Sequence, residues 1–267
     1  MKQIVTEQHG AVMEVRLANP PHNGLSGTMF REFVETLQAI GTDDGVGAVV
    51  TTADGPNWCV GGDLDDLSGR LSDGSLSDLF HQSVGDADLS TLDRQFDRLG
   101  AGRLVLAIRA FPKPLVAAVS GAAAGGGMAL ALWHDVRFAS REALFATAFA
   151  KLGLTAEMGM SHLLPRIVGE QAAADILLTA RRVDAQEALR RGMVLELVDG
   201  DDLRRHAIDY AAVLARRPAF GTQATIRLLR QSWDRTLADQ LDQEWPYQVA
   251  AFASPEAKAA IEAFGAR

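Results

Sequence analysis

Two glycine-rich turns carry the residues with the clearest chemical potential. One lies in 119–130 (VSGAAAGGGMAL). There an apolar run ending at Ser120 gives way to small residues, three consecutive glycines and a second apolar run, Met128 to Trp133. The other is 58–64 (WCVGGDL), where Gly61 and Gly62 closely follow an apolar strand. A strand that feeds a helix through glycines exposes unpaired backbone N–H groups at the positive end of the helix. Such a turn can hold an oxyanion or a phosphate, and the missing side chains let a ligand reach the main chain. It can equally be a tight crossing that needs no ligand. If the amides near Gly62 and Gly126 converge, they form a two-donor hole for an enolate or tetrahedral anion made from a thioester or ester carbonyl. One such donor is worth about 3–4 kcal/mol in the transition state.

The elements that must position these turns read as alternating strands and helices. Ile4–Thr6 and Ala11–Leu17 alternate around Gly10 and predict a hairpin. Ser26 predicts the N-cap of a helix with Met29, Phe30, Phe33, Leu37 and Ile40 on one face. Strands follow at Gly45–Thr52, Pro114–Ser120, His134–Ala139, Ala143–Phe149 (a strand or an extended segment) and Leu195–Val198, with a helix at Leu104–Ala110. Residues 163–169 read as an apolar turn, Glu170–Leu178 and Asp184–Arg191 as helices, and Gly200–Asp202 as a hinge. From there the chain is helical over 202–215, 221–238, 240–253 and 255–264. Residues 65–100, rich in Asp, Ser, Leu and Gly, read as a mobile helical flap or a solvated surface excursion. The expectation is an α/β body over 1–199 and a helical region over 200–267.

Composition narrows the class. The chain has 267 residues, a formal charge of −8 and 48% hydrophobic residues, ordinary for a soluble globular protein. The negative charge argues against nucleic acid or an anionic membrane as a general partner. A single cysteine, Cys59, excludes an internal disulfide and suits a reducing cytoplasm. No signal-peptide core, membrane span, metal-ligand spacing, Walker sequence or nucleophile elbow is found, so no metal and no resident cofactor are expected.

Taken together, the motifs resemble the crotonase family, also called the enoyl-CoA hydratase/isomerase family. The resemblance rests on 58–64 (WCVGGDL), 117–128 (AAVSGAAAGGGM) and 134–139 (HDVRFA). It continues through 164–169 (LPRIVG), 177–180 (LLTA) and 184–194 (DAQEALRRGMV), in order along nearly the whole chain. It implies a spiral of ββα units, a helical C-terminal trimerisation region and a homotrimer or hexamer. It also implies an acyl-CoA thioester, with coenzyme A as part of the substrate, whose carbonyl oxygen lies between the amides of Gly62 and Gly126. Gly61 and Gly125 flank those donors, and Phe264 resembles an aromatic that packs on bound coenzyme.

Departures from the family pattern matter as much. A typical hydratase of the family places two glutamates at positions that fall here on Ala129 and Phe149, neither of which can exchange a proton. Both remain as candidate pocket walls. By likeness to some isomerases of the family, Glu157 is the candidate acid/base. It would take a proton α to the thioester and return it elsewhere, which is double-bond isomerisation; capping a local turn is its alternative role. Met158, Met160 and Phe149 would bury it and raise its pKa. Asp63 reads as an N-cap, His134 and Cys59 as core, His162 as a possible partner of Glu157, and His81 as a flap residue near the pocket. Lys151, Arg166 and Arg267 read as surface charge or anion contacts. A catalytically silent acyl-CoA-binding protein is the alternative function, and an atypical enoyl-CoA hydratase a further one.

Overall fold

Alternation along the strands sorts the core into two layers. The computed structural model describes residues 2–62, 68–69, 72 and 101–265. Strands β1 (Ile4–His9), β2 (Val12–Leu17), β3 (Ala48–Ala53), β5 (Leu115–Val119), β7 (Val136–Ser140) and β10 (Glu196–Val198) form a sheet in the order β1-β2-β3-β5-β7-β10. Only β1 and β2 run antiparallel, as the expected hairpin; the other pairs are parallel. Val12, Ala48, Val50, Val116 and Ala118 point to one face, against Leu203, Ala207 and Ala211 of a later helix. Val15, Leu17, Val49, Ala117 and Val119 point to the other. Successive side chains on a strand face opposite ways, so both faces of this largely parallel sheet must be apolar.

A second sheet of short strands runs alongside, in the order β4 (Asn57–Cys59), β6 (Ala122–Ala124), β8 (Leu144–Ala146), β9 (Arg182–Asp184). Each long strand β3, β5 and β7 is followed by a short one, β4, β6 and β8, which is the ββα spiral expected from the resemblance. Helices α1 (Gly27–Gly41), α2 (Gly102–Ala110), α3 (Gly126–Leu132), α4 (Met160–Val168), α5 (Glu170–Thr179) and α6 (Ala185–Arg190) complete the body. Helices α7 (Gly200–Ala215), α8 (Ala219–Gln231), α9 (Leu237–Ala253) and α10 (Pro255–Gly265) complete the chain. Ser26 caps α1 by accepting from Met29 N–H at 3.2 Å.

Three expectations need correction. Residues 163–168 of the expected apolar turn lie within helix α4, with Gly169 as its C-cap, and burial of Met160, Leu163 and Leu164 offsets the amide that Pro165 lacks. The hinge at Gly200–Asp202 is the first turn of α7, the helix that covers one face of the large sheet. The helix expected over 221–238 ends at Gln231 and gives way to a 3₁₀ turn, Ser232–Asp234. Apart from residues 68–69 and 72, the flap expected over 65–100 lies outside the described residues, as do Asp63, His81 and Arg267.

Buried polar groups stitch the body and set its acid stability. His134 Nδ1 donates to the Leu130 carbonyl at 2.8 Å, and Nε2 shares a hydrogen bond with the Thr51 hydroxyl at 2.7 Å. Burial holds its pKa down at about 4, against an ordinary 6.5. Between those values the unfolded chain binds a proton that the native ring does not. The stabilisation is therefore complete above pH 6.5 and lost as pH falls to about 4. Urea unfolding should show a stability loss of about 3 kcal/mol from this site between about pH 7.5 and pH 4. His134→Gln should lack that component; an equal pH slope in both proteins would refute the assignment. Glu14 adds to the acid limb. Burial alone would raise its pKa, but hydrogen bonds from Arg204, Thr52 and His9 outweigh burial and hold it at about 2.

Candidate active site

The two glycine turns meet. A Cβ placed on Gly61 would lie 3.1 Å from the Gly126 nitrogen and 2.7 Å from the Ala124 carbonyl oxygen. Gly61 has φ +90° and Gly125 φ +52°, backbone conformations that glycine adopts without penalty. A Cβ on Gly127 would strike the Cys59 carbonyl oxygen at 2.0 Å. Part of the glycine run is thus demanded by packing of α3 on β4, whatever the turn binds. Gly126 is the first residue of α3, so its N–H has no acceptor within the helix. Among the described residues, no acceptor is found for the N–H of Gly62 or of Gly126.

Three further segments close around the turns. Leu25 N–H donates to the Gly61 carbonyl at 2.7 Å, and Leu25 Cδ1 lies 2.9 Å from where a Gly126 Cβ would stand. The loop that carries Leu25 is pinned by buried Asn23, which donates to the carbonyls of Asp54 and Asn57 at 2.8 Å each. Met158 Sδ lies 3.0 Å from the same Gly126 point. Phe149, 7% exposed, puts its ring tip 3.9 Å from a Cβ on Gly125. Ala129 is fully buried one turn into α3. Leu25 escaped the sequence reading, and Met158, expected only as apolar surroundings of Glu157, also packs on Gly126; the Asn23 staple and the left-handed φ of Met158 are the signals, and neither is visible without tertiary contacts.

Glu157 directly precedes Met158, so its backbone borders this cluster. Its side chain keeps an exposed surface, and desolvation of the rest raises its pKa above the ordinary carboxylate value. Among the described residues, no hydrogen bond or ion pair holds its carboxylate. His162 is not its partner. The His162 ring lies 5.9 Å from that of Trp233, its pKa lowered by desolvation and by Arg166 and Arg109. Arg166 caps the same indole at 5.6 Å. Cys59 is core, as expected, and burial pushes its thiol up to about 12. Phe264 stands 80% exposed on α10, outside the packed cluster.

One group elsewhere has metal-like composition. Ligand atoms of Glu7, His9 and Glu14 lie within 4.8 Å of one another on the β1–β2 hairpin. Arg204 already donates to Glu14 at 2.5 and 2.7 Å and to Glu7 at 3.0 Å, so the group is an ion-pair network.

Comparison with known proteins identifies the family. A family model described as enoyl-CoA hydratase/isomerase matches residues 7–267. A 1,2-epoxyphenylacetyl-CoA isomerase of Escherichia coli (strain K12) is 31% identical over 268 residues, covering 100% of this chain and 97% of the relative. A 2,3-dehydroadipyl-CoA hydratase of the same organism is 28% identical over 245 residues, covering 91% and 88%. A crystal structure of an enoyl-CoA hydratase from Polaromonas sp. JS666 superposes with a TM-score of 0.86 at 27% identity, covering 99% of this chain and 97% of that one.

Proposed function

Because this chain belongs to the enoyl-CoA hydratase/isomerase family, we propose that it binds an acyl-CoA thioester with the carbonyl oxygen between the amides of Gly62 and Gly126. The observation that carries this reading is the approach of Gly61 to Gly126, with no acceptor for either donor amide among the described residues. Amides fixed by a strand end and a helix start need no reorganisation when charge develops on the oxygen. Glycine at 61 and 125 keeps the approach to them clear.

The reaction that fits is double-bond isomerisation with one carboxylate. Glu157 takes a proton from the carbon α to the thioester of a 3-enoyl-CoA. The electron pair moves onto the carbonyl oxygen as a dienolate held by the two amides. The same proton returns at the γ carbon, and a 2-enoyl-CoA leaves. The raised pKa of Glu157 brings its basicity toward the value such a transfer needs. By the family resemblance the carboxylates of the hydratases fall on Ala129 and Phe149, both buried and unable to exchange a proton, which disfavours water addition. A relative matched over the whole chain is named a 1,2-epoxyphenylacetyl-CoA isomerase, which supports isomerisation of a coenzyme-A thioester as the reaction class. The test is conversion of 3-enoyl-CoA to 2-enoyl-CoA without a hydrated product. Tight binding of both without turnover would favour the silent-binder reading instead.

Assembly is part of the proposal. Helices α9 and α10 have no buried residue. Leu237, Leu241, Trp245 and Val249 recur every fourth position on α9, each at least 49% exposed. That spacing places them in one apolar stripe. A monomer seldom leaves so much apolar surface to water. We propose that this stripe joins copies of the chain into a trimer or a hexamer. Sedimentation should give three or six times the 28.6 kDa chain mass; a monomer at micromolar concentration would refute it.

A further inference from the structure

Helix α3 has a second function at its other end. Its first residue, Gly126, supplies an amide to the site, and the residue that caps its C-terminus is Trp133. Trp133 Nε1–H donates to the Met158 carbonyl at 2.7 Å. That carbonyl belongs to a pair of consecutive left-handed residues, Met158 at φ +51° and Gly159 at φ +70°. Non-glycine residues hold this conformation only where their surroundings enforce it. The indole also closes on Gly159 directly: a Cβ there would stand 2.8 Å from Trp133 Cζ2. Arg109 backs the ring from 5.8 Å and is itself fixed to Asp234 by a 2.5 Å ion pair. The residue immediately before this clamped pair is Glu157.

We propose that Trp133 is a positioning residue: its indole N–H holds the Met158–Gly159 turn and thereby aims the Glu157 carboxylate at the bound acyl group. The inference rests on the proton-transfer reading of Glu157. A seven-residue helix spans only about 10 Å. One rigid rod therefore sets both the anion-binding amide and the segment that carries the base. Loss of the N–H frees the turn that carries Glu157, while the Gly126 end of the rod stays seated by the packing of Gly127 on the Cys59 carbonyl. The effect should appear in the proton-transfer step rather than in thioester binding.

The experiment compares wild type with Trp133→Phe, by hydrogen exchange at the amides of 157–163 and by steady-state turnover of a 3-enoyl-CoA. The expected result is faster exchange in that segment, kcat lower by about ten- to a hundredfold and KM within about twofold. The loss should not be repeated when Trp133→Phe is added to Glu157→Gln. Unchanged exchange or unchanged kcat would overturn the proposal. So would a kcat loss that persists in the double variant, since it would reflect lost folded protein. Gly159→Ala pushes the indole from the opposite side and should reproduce the pattern if Trp133→Phe fails to fold. Intact turnover in Glu157→Gln alone would reject the proton-transfer reading, and with it the aiming of that carboxylate. The exchange rates would then report only on the clamp.

Discussion

Glu157→Gln is expected to lower kcat for 3-enoyl-CoA isomerisation by about 10²–10⁴-fold while leaving acyl-CoA affinity nearly unchanged. The amide keeps the size and polarity of the carboxylate but cannot accept the α proton. Binding should survive because the contacts proposed for the carbonyl oxygen are main-chain amides, which the substitution leaves in place. The pH profile gives an independent check. Desolvation raises the Glu157 pKa, and a base must be ionised to work. Wild-type kcat/KM should therefore fall as pH drops through that raised value, and this limb should vanish in the variant. A variant with half or more of the wild-type rate would remove Glu157 from the mechanism.

Gly61→Ala should be about as damaging, for a different reason. The new Cβ would lie 2.7 Å from the Ala124 oxygen and 3.1 Å from the Gly126 nitrogen, both rigid backbone. It would also sit at φ +90°, where an L side chain is strained. To relieve the contact the two turns must separate, which would move the Gly126 amide away from the place proposed for the carbonyl oxygen. Loss of one such donor costs about 10²–10³ in kcat, or about 3–4 kcal/mol. Turnover and thioester binding should fall together with some thermal stability, unlike the Glu157 variant. Full activity in a folded Gly61→Ala protein would mean that the thioester oxygen binds elsewhere.

Much of the fold was legible because its signals are local. The Ser26 cap and the four-residue spacing of Met29, Phe33 and Leu37 specify α1 by themselves. The alternation of Val12–Leu17 specifies β2, and the glycine run marks the start of α3. The short strands β6 and β9 were not legible. Three residues such as Ala122–Ala124 have no strand character of their own, and they become a strand through pairing with Asn57–Cys59 and Leu144–Ala146. Pro165 suggested a turn, but burial of Leu163 and Leu164 carries α4 past it. The early end of α8 follows from long-range contacts too. Arg230 is fixed to Asp135 and to the carbonyls of Ile108 and Phe111, which no nearby residue announces.

The sequence by itself determined which main-chain amides are unobstructed, which positions carry no exchangeable proton, and that Glu157 is the acid left near the motif. These are properties of residue type and close neighbours. Only the tertiary structure decided that Gly61 touches Gly126, that His162 turns away to Trp233, and that Trp133 clamps the turn after Glu157. Those relations depend on the register of β4 against β6 and on the seating of α3 over Cys59. They are distances between segments remote in the chain, set by packing of the whole body, and no local pattern encodes them.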